Sequence, residues 1–122
     1  MTAPNLFITY VADAPTAAAF YADLFEIEPT LTTPRFVAFR VAPEVEFAVW
    51  SGVSDAAVPT TPRTSEVCVS VRGGDAEVDA MFARWSEKGV TVVSEPHDEP
   101  FGRTFVISDP DGNLVRVAPV DA

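Results

Sequence analysis

The sequence predicts an α+β fold made of two βαβββ modules in tandem, and three observations carry that expectation. The chain closes on a hairpin signature: Arg103 to Ser108 and Asn113 to Val117 are β-branched or aromatic runs, and Asp109-Pro110-Asp111-Gly112 lies between them. Proline fixes φ in that turn and glycine accepts φ > 0. A weaker copy lies about half a chain earlier, where Arg35 to Val41 and Glu44 to Trp50 flank Ala42-Pro43. The repeat continues upstream, because Ala19-Phe20-Tyr21-Ala22-Asp23-Leu24-Phe25-Glu26 matches Ala80-Met81-Phe82-Ala83-Arg84-Trp85-Ser86-Glu87, aromatic on aromatic and alanine on alanine. Self-similarity of this kind marks a duplicated unit.

Each element has a local reason. Leu6 to Val11 and Val67 to Val71 are apolar runs of strand length. The first helix is expected near residues 14 to 25, with Asp13 as N-cap and Pro15 in the first turn, where its missing N–H costs little. Ala17, Phe20, Tyr21, Leu24 and Phe25 then form one apolar stripe. The second helix is expected near 75 to 88, after Gly73-Gly74, with Asp75 as cap, Val78, Met81, Phe82 and Trp85 inward, and Gly89 as stop. Between the halves, Ser51 to Thr64 has no periodicity and two prolines, the composition of a linker. Module 1 therefore covers about 4–51, the linker 52–64 and module 2 about 65–120 of a single domain.

Composition bounds the function. A chain of 122 residues with 48% hydrophobic content buries a core, whereas either half alone is marginal. The formal charge of −10, from 18 acidic against 8 basic residues, repels phosphate backbones and argues against nucleic acid as a partner. Its plain reading is solubility; its sharper one is attraction of cationic small molecules. No apolar run approaches membrane-spanning length, and Met1-Thr2-Ala3-Pro4-Asn5 lacks the regions of a signal peptide. A single cysteine, Cys68, allows no intramolecular disulfide, so a cytoplasmic home is expected. Flanked by valines, Cys68 reads as packing rather than nucleophile, and no Gly-x-Ser-x-Gly elbow or phosphate-cradling loop occurs.

Val11-Ala12-Asp13 followed by Ala19-Phe20-Tyr21, a central linker, and a terminal Phe101-Gly102-Arg103 with Asp109-Pro110-Asp111-Gly112-Asn113 together resemble the vicinal oxygen chelate superfamily. That group holds glyoxalase I, bleomycin-resistance proteins, extradiol dioxygenases and fosfomycin-resistance enzymes. The resemblance covers essentially the whole chain. It implies a curved mixed sheet in each module with the helix on the convex side, and paired modules enclosing a cup. Function does not follow, since one fold hosts many chemistries.

The resemblance also implies where metal-dependent members hold their ion: at the start of each module's first strand and on its last strand. Those positions fall on Leu6 and Glu66, and on Val49 (Ala48 if the turn differs by one residue) and Arg116. Only Glu66 can ligate, whereas an open catalytic metal site generally wants three protein ligands. No metal and no cofactor are expected. His97, in Glu95-Pro96-His97-Asp98-Glu99-Pro100, reads as a solvated residue of a polar loop, with a pH-responsive or acid/base role as its functional alternative.

In a βαβββ sheet the first and last strands are neighbours, so Glu66 and Arg116 should pair across them. The pair is read either as a structural ion pair in the metal's place or as Arg116 presented to a ligand carboxylate or phosphate. Strand alternation adds Cys68, Ser70 and Leu114 to the cup, with Leu6, Ile8 and Tyr10 from the first strand. Matching the two proline turns places Phe36, Ala38 and Arg40 opposite Arg103, Phe105 and Ile107 on the cup face; Phe101 and Val49 complete the candidate lining, together with Trp50, whose strand register leaves it facing either the cup or the core. For the apolar members the competing reading is dimer or inter-module packing. The leading function is a metal-free protein binding an aromatic or amphipathic small molecule, as antibiotic-binding relatives do. The alternative is an enzyme of the same fold, a lyase or isomerase with Glu66 as candidate base or with a weak divalent metal. A dimer with an occluded cup is the third reading. A homodimer is expected in each case, with a linker long enough for modules to exchange.

Overall fold

The computed structural model describes residues 2–52 and 62–120, and the chain divides into two compact units, residues 1–62 and 63–122. Unit 1 runs β1 (Leu6–Tyr10), α1 (Ala14–Phe25), β2 (Leu31–Thr32), β3 (Phe36–Ala42) and β4 (Val45–Trp50). Unit 2 runs β5 (Glu66–Val71), α2 (Gly74–Glu87), β6 (Thr91–Glu99), β7 (Gly102–Ser108) and β8 (Leu114–Pro119). Each is a βαβββ module. Its four-stranded mixed sheet has the order β1-β4-β3-β2 in unit 1 and β5-β8-β7-β6 in unit 2, with the first and last strands parallel. A helix between two parallel strands is what makes that pairing possible, since a parallel pair needs a long crossover. Residues 53–61, the middle of the expected linker, lie outside the described residues.

In unit 1, α1 packs on the sheet face formed by Val37, Phe39, Phe47 and Val49, all buried. Tyr21 meets Phe47 edge-on with ring centroids 4.9 Å apart, and Phe47 stacks on Phe39 at 6.2 Å. The helix begins where the sequence places it: Asp13 is extended at φ −141° and its carboxylate accepts from the Thr16 N–H at 3.0 Å and from the Thr16 hydroxyl. Those two bonds hold the Asp13 carboxyl below its ordinary range.

In unit 2, Val78 and Trp85 of α2 are buried, and Trp85 and Phe82 meet Phe105 of β7 edge-on at 5.6 and 5.1 Å. The cap differs from expectation. Gly73, at φ 103°, is the N-cap, and Asp75 lies inside the first turn with Glu77. A glycine accepts that φ without Cβ strain, and the two carboxylates complement the positive end of the helix dipole instead of capping it. The closing turn is tied by its own side chains. The buried Asp109 carboxylate accepts from the backbone N–H groups of Asp111 and Asn113 at 2.9 and 2.8 Å and from the Asn113 amide at 2.8 Å. Gly112 sits at φ 85°.

The segment around His97, expected as a polar loop, is the second half of strand β6. Two register shifts, between Val92 and Ser94 and between Ser94 and His97, insert an extra residue each against β7. Such bulges re-aim side chains and let Pro96 sit on an edge strand.

Candidate functional site

The sheet face turned away from α2 carries Glu66 and Arg116. Along β5 the side chains alternate, Glu66, Cys68 and Ser70 on this open face and Val67, Val69 and Val71 towards the helix. From β8 come Leu114 and Arg116. In register Glu66 stands beside Leu114 and Cys68 beside Arg116, and the long arginine side chain closes the diagonal. Its Nε–H donates to Glu66 Oε1 at 2.6 Å, and Nη1 donates to Thr104 Oγ1 at 3.2 Å. The buried Thr104 hydroxyl in turn donates to the Val117 carbonyl at 2.7 Å. The guanidinium carbon lies 6.0 Å from the centroid of the Phe101 ring, a cation–π distance. Nη2 has no hydrogen-bond partner among the described residues. Arg116 is thus oriented by its neighbours with donors to spare.

Around this group lies a concavity of about 410 Å³, walled by Glu66, Phe101, Val106, Leu114 and Arg116 and, from β6, by Val93, Ser94, His97 and Glu99. His97 Nδ1 is 2.8 Å from the Glu95 carbonyl oxygen and 3.2 Å from Ser94 Oγ, and Nε2 is 3.1 Å from Glu99 Oε1. The Arg116–Glu66 ion pair and the His97–Glu99 contact therefore share one half-apolar hollow. This is the makeup of a small-molecule site, in which apolar walls supply affinity and a few polar groups fix orientation.

The expected lining divides unequally. Glu66, Phe101, Leu114 and Arg116 line the concavity. Cys68 is on the same face, exposed rather than packed. Partial burial of the thiol pushes its pKa up, and the neighbouring Glu66 carboxylate adds to the shift. Arg103, Phe105 and Ile107 are corrections: all three lie on the helix side of β7. Phe105 is fully buried against α2, and Arg103 donates to Asp79 of α2 at 2.7 Å and to Asp98 at 3.2 Å. Thr104 and Val106 take the open face instead, because Val106 is the register partner of Arg116.

In unit 1, Leu6, Ile8 and Tyr10 share the open face with Phe36, Arg40 and Trp50, through the pairings Tyr10 with Trp50, Phe36 with Trp50 and Arg40 with Glu46. Tyr10 and Trp50 meet edge-on at 6.2 Å. Val49 is a further correction, fully buried on the helix side; Ala48 is the open-face residue. Sequence reasoning missed Val93, Ser94, Glu99 and Val106, and weighed His97 mainly as solvated. An alternating pattern could have found those on β6 only if its two bulges were visible in advance, and Val106 only if the register of β7 were known.

The donor set does not fit a divalent metal ion. Glu66 is engaged by Arg116, the matching positions of unit 1 are Leu6 and Ala48, and among the described residues no group of three His, Cys, Asp or Glu side chains converges. No helix among the described residues is long and apolar enough to cross a membrane.

Paired βαβββ modules, each with an open sheet face opposite its helix, define the class. The chain belongs to the Glyoxalase/Bleomycin resistance protein/Dioxygenase superfamily, whose family model matches residues 4–117. Among individual proteins, it is 40% identical over 121 residues to the phenazine antibiotic resistance protein EhpR of Enterobacter agglomerans, covering 97% of this chain and 92% of that one. The solution structure of protein ATC0852 from Agrobacterium tumefaciens superimposes with a TM-score of 0.81 at 30% identity, covering 100% of both chains. The bleomycin-binding protein of Streptomyces verticillus, solved with copper(II)-bleomycin, shares the fold with a TM-score of 0.71 at 17% identity, covering 99% of this chain and 98% of that one.

Proposed function

We propose that this protein binds a flat aromatic small molecule of the phenazine antibiotic type and holds it without transforming it. The observation that carries the reading is the Arg116–Phe101 arrangement: a guanidinium set 6.0 Å from an aromatic ring, with unused donors, in a hollow of about 410 Å³. An aromatic ligand gains stacking surface from Phe101 and a directed charge from Arg116, while Val106 and Leu114 supply apolar wall. The likeness to a phenazine resistance protein across nearly the whole chain supports the ligand class. Sequestration suits the site better than chemistry, since its one carboxylate at the expected base position, Glu66, already accepts from Arg116. Thermal unfolding with and without phenazine tests this, because a ligand specific to the native state raises the midpoint. A concentration-dependent rise, with the phenazine recovered unchanged by chromatography, is the expected result. No rise at millimolar phenazine, or conversion of it to a product, overturns the proposal.

We further infer a cytoplasmic homodimer. Edge strand β1 leaves Leu6, Phe7 and Ile8 42 to 55% exposed, with one side of its backbone unpaired in the sheet. Such an edge favours pairing with a second chain. Light scattering at micromolar concentration should give about twice the 13.1 kDa of one chain; a mass near 13.1 kDa would rule the dimer out.

A further inference from the structure

Each ring nitrogen of His97 faces an oxygen that can only accept: Nδ1 the Glu95 carbonyl at 2.8 Å, Nε2 the Glu99 carboxylate at 3.1 Å. A neutral imidazole carries one hydrogen, so either tautomer turns a nitrogen lone pair on an oxygen lone pair. The imidazolium satisfies both contacts. Ser94 Oγ, 3.2 Å from Nδ1, can adapt to either form by rotating its hydrogen. His97 is also the sole histidine of the chain and stands on the wall of the concavity that holds Arg116.

The charged groups around it are few. On β6, Glu99 faces His97, while Asp98 is bonded to Arg103 on the other side of the sheet. On β7, the open-face residues are Gly102, Thr104, Val106 and Ser108, none of them charged. Glu66 and Arg116 complete the set across the hollow, and α2 packs on the opposite face. With a neutral His97 the lining holds two carboxylates against one cation. Protonation of His97 balances it.

We propose that His97 is the specificity-determining second cation of this site, so that the preferred ligand is an aromatic acid whose carboxylate is bound together with a proton on His97. The proposal rests on this concavity being the ligand site. Histidine is the side chain whose charge changes across the physiological pH range, and a ligand that prefers the protonated form must bind more tightly as pH falls. An aromatic without an acidic group has no such preference.

The experiment is a calorimetric titration of the full chain with phenazine-1-carboxylate and with unsubstituted phenazine, at about pH 6 and about pH 8. The carboxylate keeps its charge over that window. Its affinity should be about threefold or more higher at the lower pH, with proton uptake on binding, while that of phenazine stays level. In His97→Gln, which keeps hydrogen-bonding capacity without the charge, the carboxylate should bind at the wild-type high-pH affinity at both pH values. Glu99→Gln, which removes the competing anion, should strengthen carboxylate binding at both. Phenazine binding with a pH-independent carboxylate affinity overturns the role of His97 and leaves the aromatic-ligand reading standing, and so does a pH dependence that survives His97→Gln. Binding of neither compound at either pH overturns both.

Discussion

The Nε–H of Arg116 on β8 donates to Glu66 Oε1 on β5 across 2.6 Å, although the sheet register sets Glu66 beside Leu114. The two side chains are 27% and 33% exposed, so the pair is neither a surface ornament nor a buried ion pair. Replacing Arg116 by alanine should cost about 1 kcal/mol, between the values typical of exposed and of buried pairs. A double-mutant cycle with Glu66→Gln, read by urea denaturation, should return a coupling of about 0.5 to 1 kcal/mol. Zero coupling would show that the contact does not persist in solution.

Phe101 and Phe105 are four positions apart and belong to different environments. Phe105→Ala should destabilise the protein by about 3 to 5 kcal/mol, as expected for a core aromatic, because the ring is fully buried between Phe82 and Trp85. Phe101 is 50% exposed, and its replacement by alanine should leave the unfolding midpoint nearly unchanged. It should weaken phenazine binding by about tenfold through loss of stacking. Chemical denaturation and calorimetry on the two variants check both; an equal stability loss would contradict the assignment of faces.

Cys68 is exposed yet should react slowly. Only the thiolate attacks an alkylating agent, and both partial burial and the Glu66 carboxylate raise the pKa of this thiol. Alkylation by iodoacetamide near neutral pH should proceed more slowly than with free cysteine, and Glu66→Gln should accelerate it. A wild-type rate equal to that of free cysteine would remove the electrostatic argument.

Acid should loosen α1 through its cap. The Asp13 carboxyl is depressed below 3.8 by its bonds to Thr16, so its contribution is complete above 3.8, the ordinary value, and disappears as pH falls through the lower, folded value. Between about pH 5 and about pH 2.5 the wild type should lose more stability than Asp13→Ala, measured by urea midpoints. Parallel losses in the two proteins would assign the acid sensitivity to other carboxylates.

Several features were legible in the sequence because they are local. Asp13 caps α1 and the Asp109–Asn113 turn closes its hairpin, since a short acidic side chain reaches backbone N–H groups a few residues on. The neighbourhood of Glu66 and Arg116, 50 residues apart, was also legible, because the βαβββ fold that the chain resembles sets the first and last strands of a module side by side, and a long connection through a helix lets such neighbours run parallel.

What only the tertiary structure decided is parity. The Pro43 hairpin turns through a two-residue loop, between Ala42 and Val45, beside a register shift at Arg40. The Pro110 hairpin spans Asp109 to Asn113, between Ser108 and Leu114. Equating the two prolines therefore slips the register by one residue, which in a strand of period two exchanges the faces of the sheet. That single slip moved Val49, Arg103, Phe105 and Ile107 onto the wrong side together. His97 and Glu99 stayed outside the expected site because their polar segment reads as a loop, whereas pairing with β7 makes it a strand; two bulges then set the direction of these side chains, and a bulge arises from how a strand must pair with its neighbour, not from the residues of that strand alone.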